Sequence, residues 1–245
     1  MTLTAANVSK SYNGLSVLSD VSLNIAKGTT VSLVGPSGCG KSTLLNILSG
    51  LDRPDSGIVK VDRNLGVAYM MQDSLLLPWR TLAENALLGM EVRYGRAAAN
   101  PELVSRYFEA FDLASGIALY PSAASGGMKQ RVALIRTLLT DPTLLLLDEP
   151  FASLDFDVKL KVQRYLIDYQ LKGEKTVLLV THDIEDAIAL SDEIIVLSDK
   201  PARVKSVIPI DIGYGKHDPV RARKSPRFTE YFTRIWEEIK YLDEE

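Results

Sequence analysis

The 245-residue chain carries a single cysteine, Cys39, and no excess of positive charge. One thiol excludes an intrachain disulfide and suits a reducing compartment. With 28 Lys and Arg against 31 Asp and Glu, the net charge is -3. That argues against sequence-independent nucleic-acid binding, which rests on a basic footprint over phosphates. Apolar runs such as "TLLLLD" fall far short of the roughly 20 residues that a membrane-spanning helix needs, so any membrane association is expected to go through a partner. The start, "MTLTAANVSK", lacks the basic and apolar regions of a signal peptide. Internal repeats and low-complexity tracts are missing too. What is there is ordinary globular composition, 46% hydrophobic and 24% charged, in a chain long enough to bury a sizeable core as one domain or two.

Five near-continuous apolar runs, "TTVSLVG", "LGVAYMMQD", "TLLLLDEP", "KTVLLVTHD" and "DEIIVLSD", predict strands covered on both faces, as in a mostly parallel sheet flanked by helices. Between the second and third runs the character turns helical. "NPELVSRYFEAF" places Asn100 as an N-cap, Pro101 at the first helical position and Leu103, Tyr107 and Phe111 along one stripe. The helix after "SAASGG" carries Val132, Ile135 and Leu139 at helical spacing and should end near Asp141, because Pro142 disfavours further helix. The expected organisation is an α/β core over residues 1–75 and 141–220, a helical insert over 76–140 and an amphipathic helix within 221–245. In that last helix Phe228, Phe232, Ile235, Ile239 and Leu242 share a face that should pack back on the core. Arg221, Arg223, Lys224 and Arg227 just before it read as a solvated face without the interleaved aromatics of single-strand binders.

"GPSGCGKST", Gly35 to Thr43, follows an apolar strand and precedes "LLNILSGL", the strand-loop-helix context of a phosphate loop. The backbone N–H groups of this loop, which also takes in Pro36, Ser37 and Cys39, would turn inward around the phosphates. Side chains at Gly35, Gly38 or Gly40 would obstruct them, and the helix dipole adds a favourable field. Lys41 then reaches the outer phosphates and the Ser42 hydroxyl ligates Mg²⁺. Inside the loop, Cys39 is expected to block nucleotide when modified and to be protected by ATP.

"TLLLLDEP" delivers Asp148 to the end of a buried strand, where it can hold Mg²⁺ through water. Glu149 beside it can accept a proton from an attacking water. Gln72 and His182 close "AYMMQ" and "VLLVTH" in the same way. The amide could bridge metal and attacking water and the imidazole could meet a γ-phosphate, though each taken alone also reads as a surface amide or a structural histidine. His217 sits in a polar stretch and receives no role. Ser125, Gly126 and Gly127 form a second helix start suited to an anion, in a chain that already has a phosphate loop.

In their order, the phosphate loop, Gln72, "SGGMKQR", "LLLLDEP", "SLD" at Ser153 to Asp155 and His182 resemble the ATP-binding subunit of ABC transporters along essentially the whole chain. The resemblance implies a RecA-like P-loop NTPase core with a mostly parallel sheet, an N-terminal antiparallel β subdomain and an inserted helical subdomain. It implies ATP hydrolysis with ATP and Mg²⁺ as cofactors. It further implies that Tyr12 stacks on adenine, that Gln72 senses the γ-phosphate and that Asp155 shapes the contact between two copies. Ser125, Gly126 and Gly127 would cap the γ-phosphate held by the opposite copy, in a head-to-tail pair with two nucleotides sandwiched between. Tyr12 also reads simply as a strand aromatic. The family usually has leucine before Ser-Gly-Gly, and Ala124 here should loosen the seating of that loop.

"LLLPWRTLAEN", "DEPFASLD" and "THDIEDAIALSDEIIVLSDKPARV" resemble, more narrowly, the nitrate/sulfonate/taurine branch of bacterial importers. That implies a peripheral subunit on the cytoplasmic face of the inner membrane. Its permease would be contacted through the region around Trp79, which equally reads as ordinary core, and an external solute-binding protein reached only indirectly. The alternative is an ABC-type ATPase of DNA maintenance or translation. DNA-acting members carry long coiled coils between the glutamine loop and the signature, whereas the interval from Gln72 to Ser125 is 53 residues without sustained heptads, and one cassette is visible where translation factors have two.

Overall fold

The computed structural model describes residues 3–62, 66–96, 100–213 and 218–240. Strands β1 (Leu3–Tyr12), β2 (Leu15–Ile25) and β4 (Ser56–Val61) form a small antiparallel sheet in the order β2-β1-β4. Buried and exposed residues alternate along the second half of β2, as in a sheet with one face on the core and one toward water. The larger sheet is built from β3 (Thr30–Val34), β5 (Val67–Met70), β6 (Leu144–Asp148), β7 (Thr176–Val180), β8 (Glu193–Leu197) and β9 (Val204–Pro209). Its order is β5-β6-β7-β3-β8-β9, parallel throughout except for β9, which pairs antiparallel at one edge. All five apolar runs are strands of this sheet. The α/β class, the antiparallel N-terminal sheet and the mostly parallel core are those expected.

The unbroken leucines of β6 follow from the period of two along a strand. Leu144 and Leu146 face a cluster that includes Leu44, Leu45 and Leu48 of α1 (Lys41–Ser49) and Leu3, Val8 and Leu18 of the small sheet. Leu145 and Leu147 face the opposite cluster. In β7, Leu178 and Val180 take the first side and Val177 and Leu179 the second. Both faces are covered, so neither strand can alternate polar with apolar.

Four helices supply the second cover: α2 (Leu82–Tyr94), α3 (Pro101–Ala110), α4 (Gly126–Leu139) and α5 (Phe156–Gly173). Ala86, Phe108, Ile135 and Val162 from these helices join Leu145 and Leu147 in one cluster. A capping box starts α2: the Thr81 hydroxyl accepts from the Glu84 N–H at 3.2 Å and the Glu84 carboxylate accepts from the Thr81 N–H at 2.8 Å. The Asn100 side chain caps α3 by accepting from the Leu103 N–H at 3.2 Å. Ahead of Pro142, α4 stops at Leu139.

The chain finishes with α6 (Ile184–Leu190), α7 (Pro219–Ala222) and α8 (Pro226–Lys240). Phe228 and Ile235 of α8 are buried against Ile184 and Ile188 of α6 and Ile194 of β8, with Phe232 and Ile239 partly covered. Leu242 and His217 lie outside the described residues. Arg223 corrects the reading of its cluster as solvated. It donates to Asp186 at 2.8 Å and lies 3.4 Å from Glu185. Asp186 is almost fully buried, and a desolvated carboxylate needs close partners. It takes Arg223, Lys159 at 2.6 Å and Gln163 at 2.8 Å.

Candidate functional site

Strand register brings the chemistry together. Val180 stands opposite both Asp148 and Leu33, and Met70 stands opposite Leu147. The segments leaving β3, β5, β6 and β7 therefore emerge side by side at the carboxyl ends of parallel strands, where open α/β sheets bind ligands. They enclose a cleft of about 540 Å³. One wall is Ser37, Gly38, Gly40, Lys41, Ser42 and Thr43; Gln72, Asp148, Glu149 and His182 face it.

Two glycines of the loop are required for different reasons. Gly38 has φ +73 and nothing within 4 Å of where a Cβ would stand, so its constraint is the left-handed backbone. Gly40 has a positive φ too, +123, and a Cβ there would in addition meet Val17 at 2.9 Å, so the small sheet behind it adds a steric constraint that Gly38 lacks. The Lys41 ammonium donates to the carbonyls of Gly35 at 2.9 Å and Pro36 at 2.7 Å, which holds it across the loop.

Cys39 departs from expectation. Its side chain turns into the core and is 0% exposed, so it does not line the cleft. Burial pushes the thiol above its ordinary value, partly offset by the charge of Lys41. The thiolate is the reactive form, so a thiol reagent should leave the folded chain unlabelled with or without ATP and label it fast in denaturant. Intact-mass measurement over time checks this; rapid labelling of the folded chain would contradict the buried placement.

Asp148 is 1% exposed, and its Oδ1 has no hydrogen-bond partner. Burial raises its carboxyl above the ordinary value, against hydrogen bonds from Ser42 and Tyr69 and the charge of Lys41, which lower it. Tyr69 answers with a phenol raised by burial and by Asp148. Glu149 takes a left-handed backbone, φ +50, and its N–H donates to the Val180 carbonyl at 2.9 Å. Its Oε2 lies 2.9 Å from Nδ1 of His182, whose side chain is 72% exposed to the cleft. The arrangement sets a carboxylate, oriented by an imidazole, opposite the glycine-rich loop and its Lys41 ammonium.

The chain matches the ABC transporter family over residues 18–152. It belongs to that family. It is similar to an uncharacterised ABC transporter ATP-binding protein, YtlC, of Bacillus subtilis (38% identical, 92% of this chain and 89% of the relative). It is also similar to the aliphatic sulfonates import ATP-binding protein SsuB 2 of Pseudomonas syringae pv. tomato (39% identical, 90% and 94%). Among solved structures, the ATP-binding cassette MJ0796, a dimer in a post-hydrolysis state bound to ADP and Pi, superposes with a TM-score of 0.79 at 31% identity, covering 86% of this chain and 99% of that one. The protein is an ABC ATP-binding subunit and an ATPase. Among the described residues no helix is long and apolar enough to cross a membrane.

Other residues of this ABC subunit that stand out in the sequence lie outside the cleft. Ser125 caps α4, its hydroxyl accepting from the Met128 N–H at 3.2 Å, and Ser125 and Gly126 are exposed. The paired glycines separate in purpose: around Gly126 there is open space, whereas at Gly127 a Cβ would come 2.6 Å from the Ser153 carbonyl oxygen. Asp155, at the N-cap position of α5, is exposed and makes no capping bond. Ala124 is partly buried against the helical cluster. Trp79 is 71% exposed, which corrects its reading as ordinary core. Tyr12 keeps its ring half open beside the loop helix, its hydroxyl bonded to Thr43 and donating to Asp52 at 2.5 Å. Hydrogen bonds from Tyr12 and Lys10 hold the Asp52 carboxyl down at about 2.

Tyr69, Asp52 and Gln130 were not anticipated. The tyrosine stands three residues before Gln72 in "AYMMQ", and Gln130 is inside "SGGMKQR"; nothing local says that they reach Asp148 and Glu149.

Proposed function

We propose that this subunit works as one half of a head-to-tail dimer that sandwiches two ATP molecules and drives a bacterial importer. One observation carries the reading: a glycine-opened helix start, Ser125–Gly126, faces solvent away from a cleft that already holds a complete phosphate loop. Helix N-termini suit anions, and the anion this one fits is the γ-phosphate on the loop of a second copy. Exposed Asp155 and Phe156, the latter 65% open, flank the contact. Tyr12 offers its ring to adenine.

In the closed pair, Glu149 takes the proton of the attacking water, His182 orients Glu149 and meets the γ-phosphate, and Lys41 holds the outer phosphates. Ser42, Gln72 and Asp148 would hold Mg²⁺. The unpartnered, buried Oδ1 of Asp148 beside the Ser42 hydroxyl fits a hard cation, which supplies neutralisation of phosphate charge when bound. ATP bridges the two copies only when they close, so binding favours closure and hydrolysis releases it.

Closure is passed to membrane helices through exposed Trp79 and its leucine neighbours, large apolar groups of the kind that anchor interfaces. The subunit then sits on the cytoplasmic face of the inner membrane. The sulfonate-import names of its relatives support a small solute of the nitrate, sulfonate or taurine class, chosen by permease and external binding protein. A tagged chain expressed in its own host is expected to co-purify with a hydrophobic permease, and Trp79→Ala to lower that recovery about tenfold, the loss of a typical interface anchor. Recovery of the chain with no membrane protein would overturn the transport reading.

A further inference from the structure

We infer that Gln130 is a positioning residue that ties the base Glu149 to the helix start Ser125–Gly127, so that the two half-sites one chain contributes are set by one side chain. This rests on the composite-site reading above. Gln130 lies on α4 one turn past Ser125 and Gly126 and is almost fully buried. Its Nε2 donates to the Glu149 carbonyl, and its Oε1 accepts from the Ser153 N–H at 2.9 Å. A primary amide donates and accepts at once without charge, which is what a clamp on one carbonyl and one N–H requires.

The clamp matters because of how Glu149 is held. A left-handed backbone is unfavourable for a residue with a side chain, and it persists where neighbours over-determine it. Here the N–H of Glu149 is fixed by the Val180 carbonyl at the end of β7, and its carbonyl by Gln130 on α4. Between these two anchors the side chain is aimed at His182. The same helix turn touches the same segment again at Gly127, which leaves no room for a Cβ against the Ser153 oxygen. Arg131, next in sequence, donates to the carbonyls of Gly127 at 3.2 Å, Phe111 at 2.7 Å and Asp112 at 2.9 Å, seating the first turn of α4 on the end of α3. A displacement of Ser125–Gly127 by the opposite copy's nucleotide is thereby transmitted to the backbone of Glu149, without Gln130 touching ATP itself.

The test uses the full chain and compares Gln130→Met and Gln130→Glu with the wild type, reading fluorescent-ATP affinity, KM and kcat. Gln130→Met keeps the length and removes both bonds; Gln130→Glu keeps the acceptor for Ser153 and removes the donor to Glu149. The expected result is unchanged ATP affinity and KM, with kcat lowered about tenfold to a hundredfold, the scale of a small misplacement of a catalytic group. Should Gln130→Met fail to fold, Gln130→Glu decides. A folded variant with wild-type kcat overturns the inference. Ser125→Arg is run alongside: full turnover there brings down the composite-site reading itself, whereas silence there with wild-type kcat in both Gln130 variants brings down only the role of Gln130.

Discussion

Glu149→Gln should bind ATP as the wild type does, accumulate as an ATP-bound dimer and turn over about a thousandfold more slowly, the middle of the range for a lost general base. The substitution keeps size and hydrogen-bonding length, so the amide that replaces the carboxylate can still meet His182 Nδ1 across the 2.9 Å that separates the native pair. The left-handed backbone is no harder for glutamine than for glutamate, and the anchors from Val180 and Gln130 act on main-chain atoms. What disappears is a carboxylate able to take a proton. Asp148 cannot replace it, being buried in contact with Ser42 and Tyr69. Steady-state phosphate release together with size-exclusion chromatography in ATP checks both halves. Turnover at the wild-type rate would remove Glu149 from the role of base; loss of ATP binding would show that it holds nucleotide instead.

How far the sequence carries such a reading depends on the distance over which each signal acts. The phosphate loop is contiguous, and its strand-loop-helix context is local, so it was legible entire. The strands were legible because burial on two faces leaves near-unbroken apolar runs such as Leu144–Leu147. The N-cap of α3 was legible from Asn100 and Pro101 alone. Contacts set by register were not. That Glu149 meets His182 depends on Asp148 standing opposite Val180, and neither segment encodes the offset. Arg223 looked solvated because its cluster is all basic; the buried Asp186 that claims it is 37 residues upstream. Cys39 looked accessible because its loop is, yet loop membership does not say which way a side chain turns. The capping box at Thr81 and Glu84 is a local signal, written within "TLAEN". Within the glycine pair, Gly127 seats the helix on Ser153 and Gly126 stays open, a division that two identical residues in sequence do not reveal.

Ser125→Arg should leave ATP binding by the single chain unchanged and lower turnover by the dimer at least a hundredfold, comparable to removing a donor from a preorganised site for developing charge. The two effects separate because Ser125 is absent from the lining of its own chain's cleft. In the proposed dimer the arginine would stand where the opposite γ-phosphate approaches Gly126. The open space around Gly126 is filled by a long side chain, and the helix start loses the small hydroxyl group. Loss of the cap bond to Met128 also costs about 1 kcal/mol of stability. Ser125→Ala loses that same bond without adding bulk, so it supplies the control: if both variants melt alike and only the arginine is silent, the defect is at the interface. Full turnover by Ser125→Arg would mean that the opposite copy contributes nothing at Ser125, and the site would have to be complete within one chain.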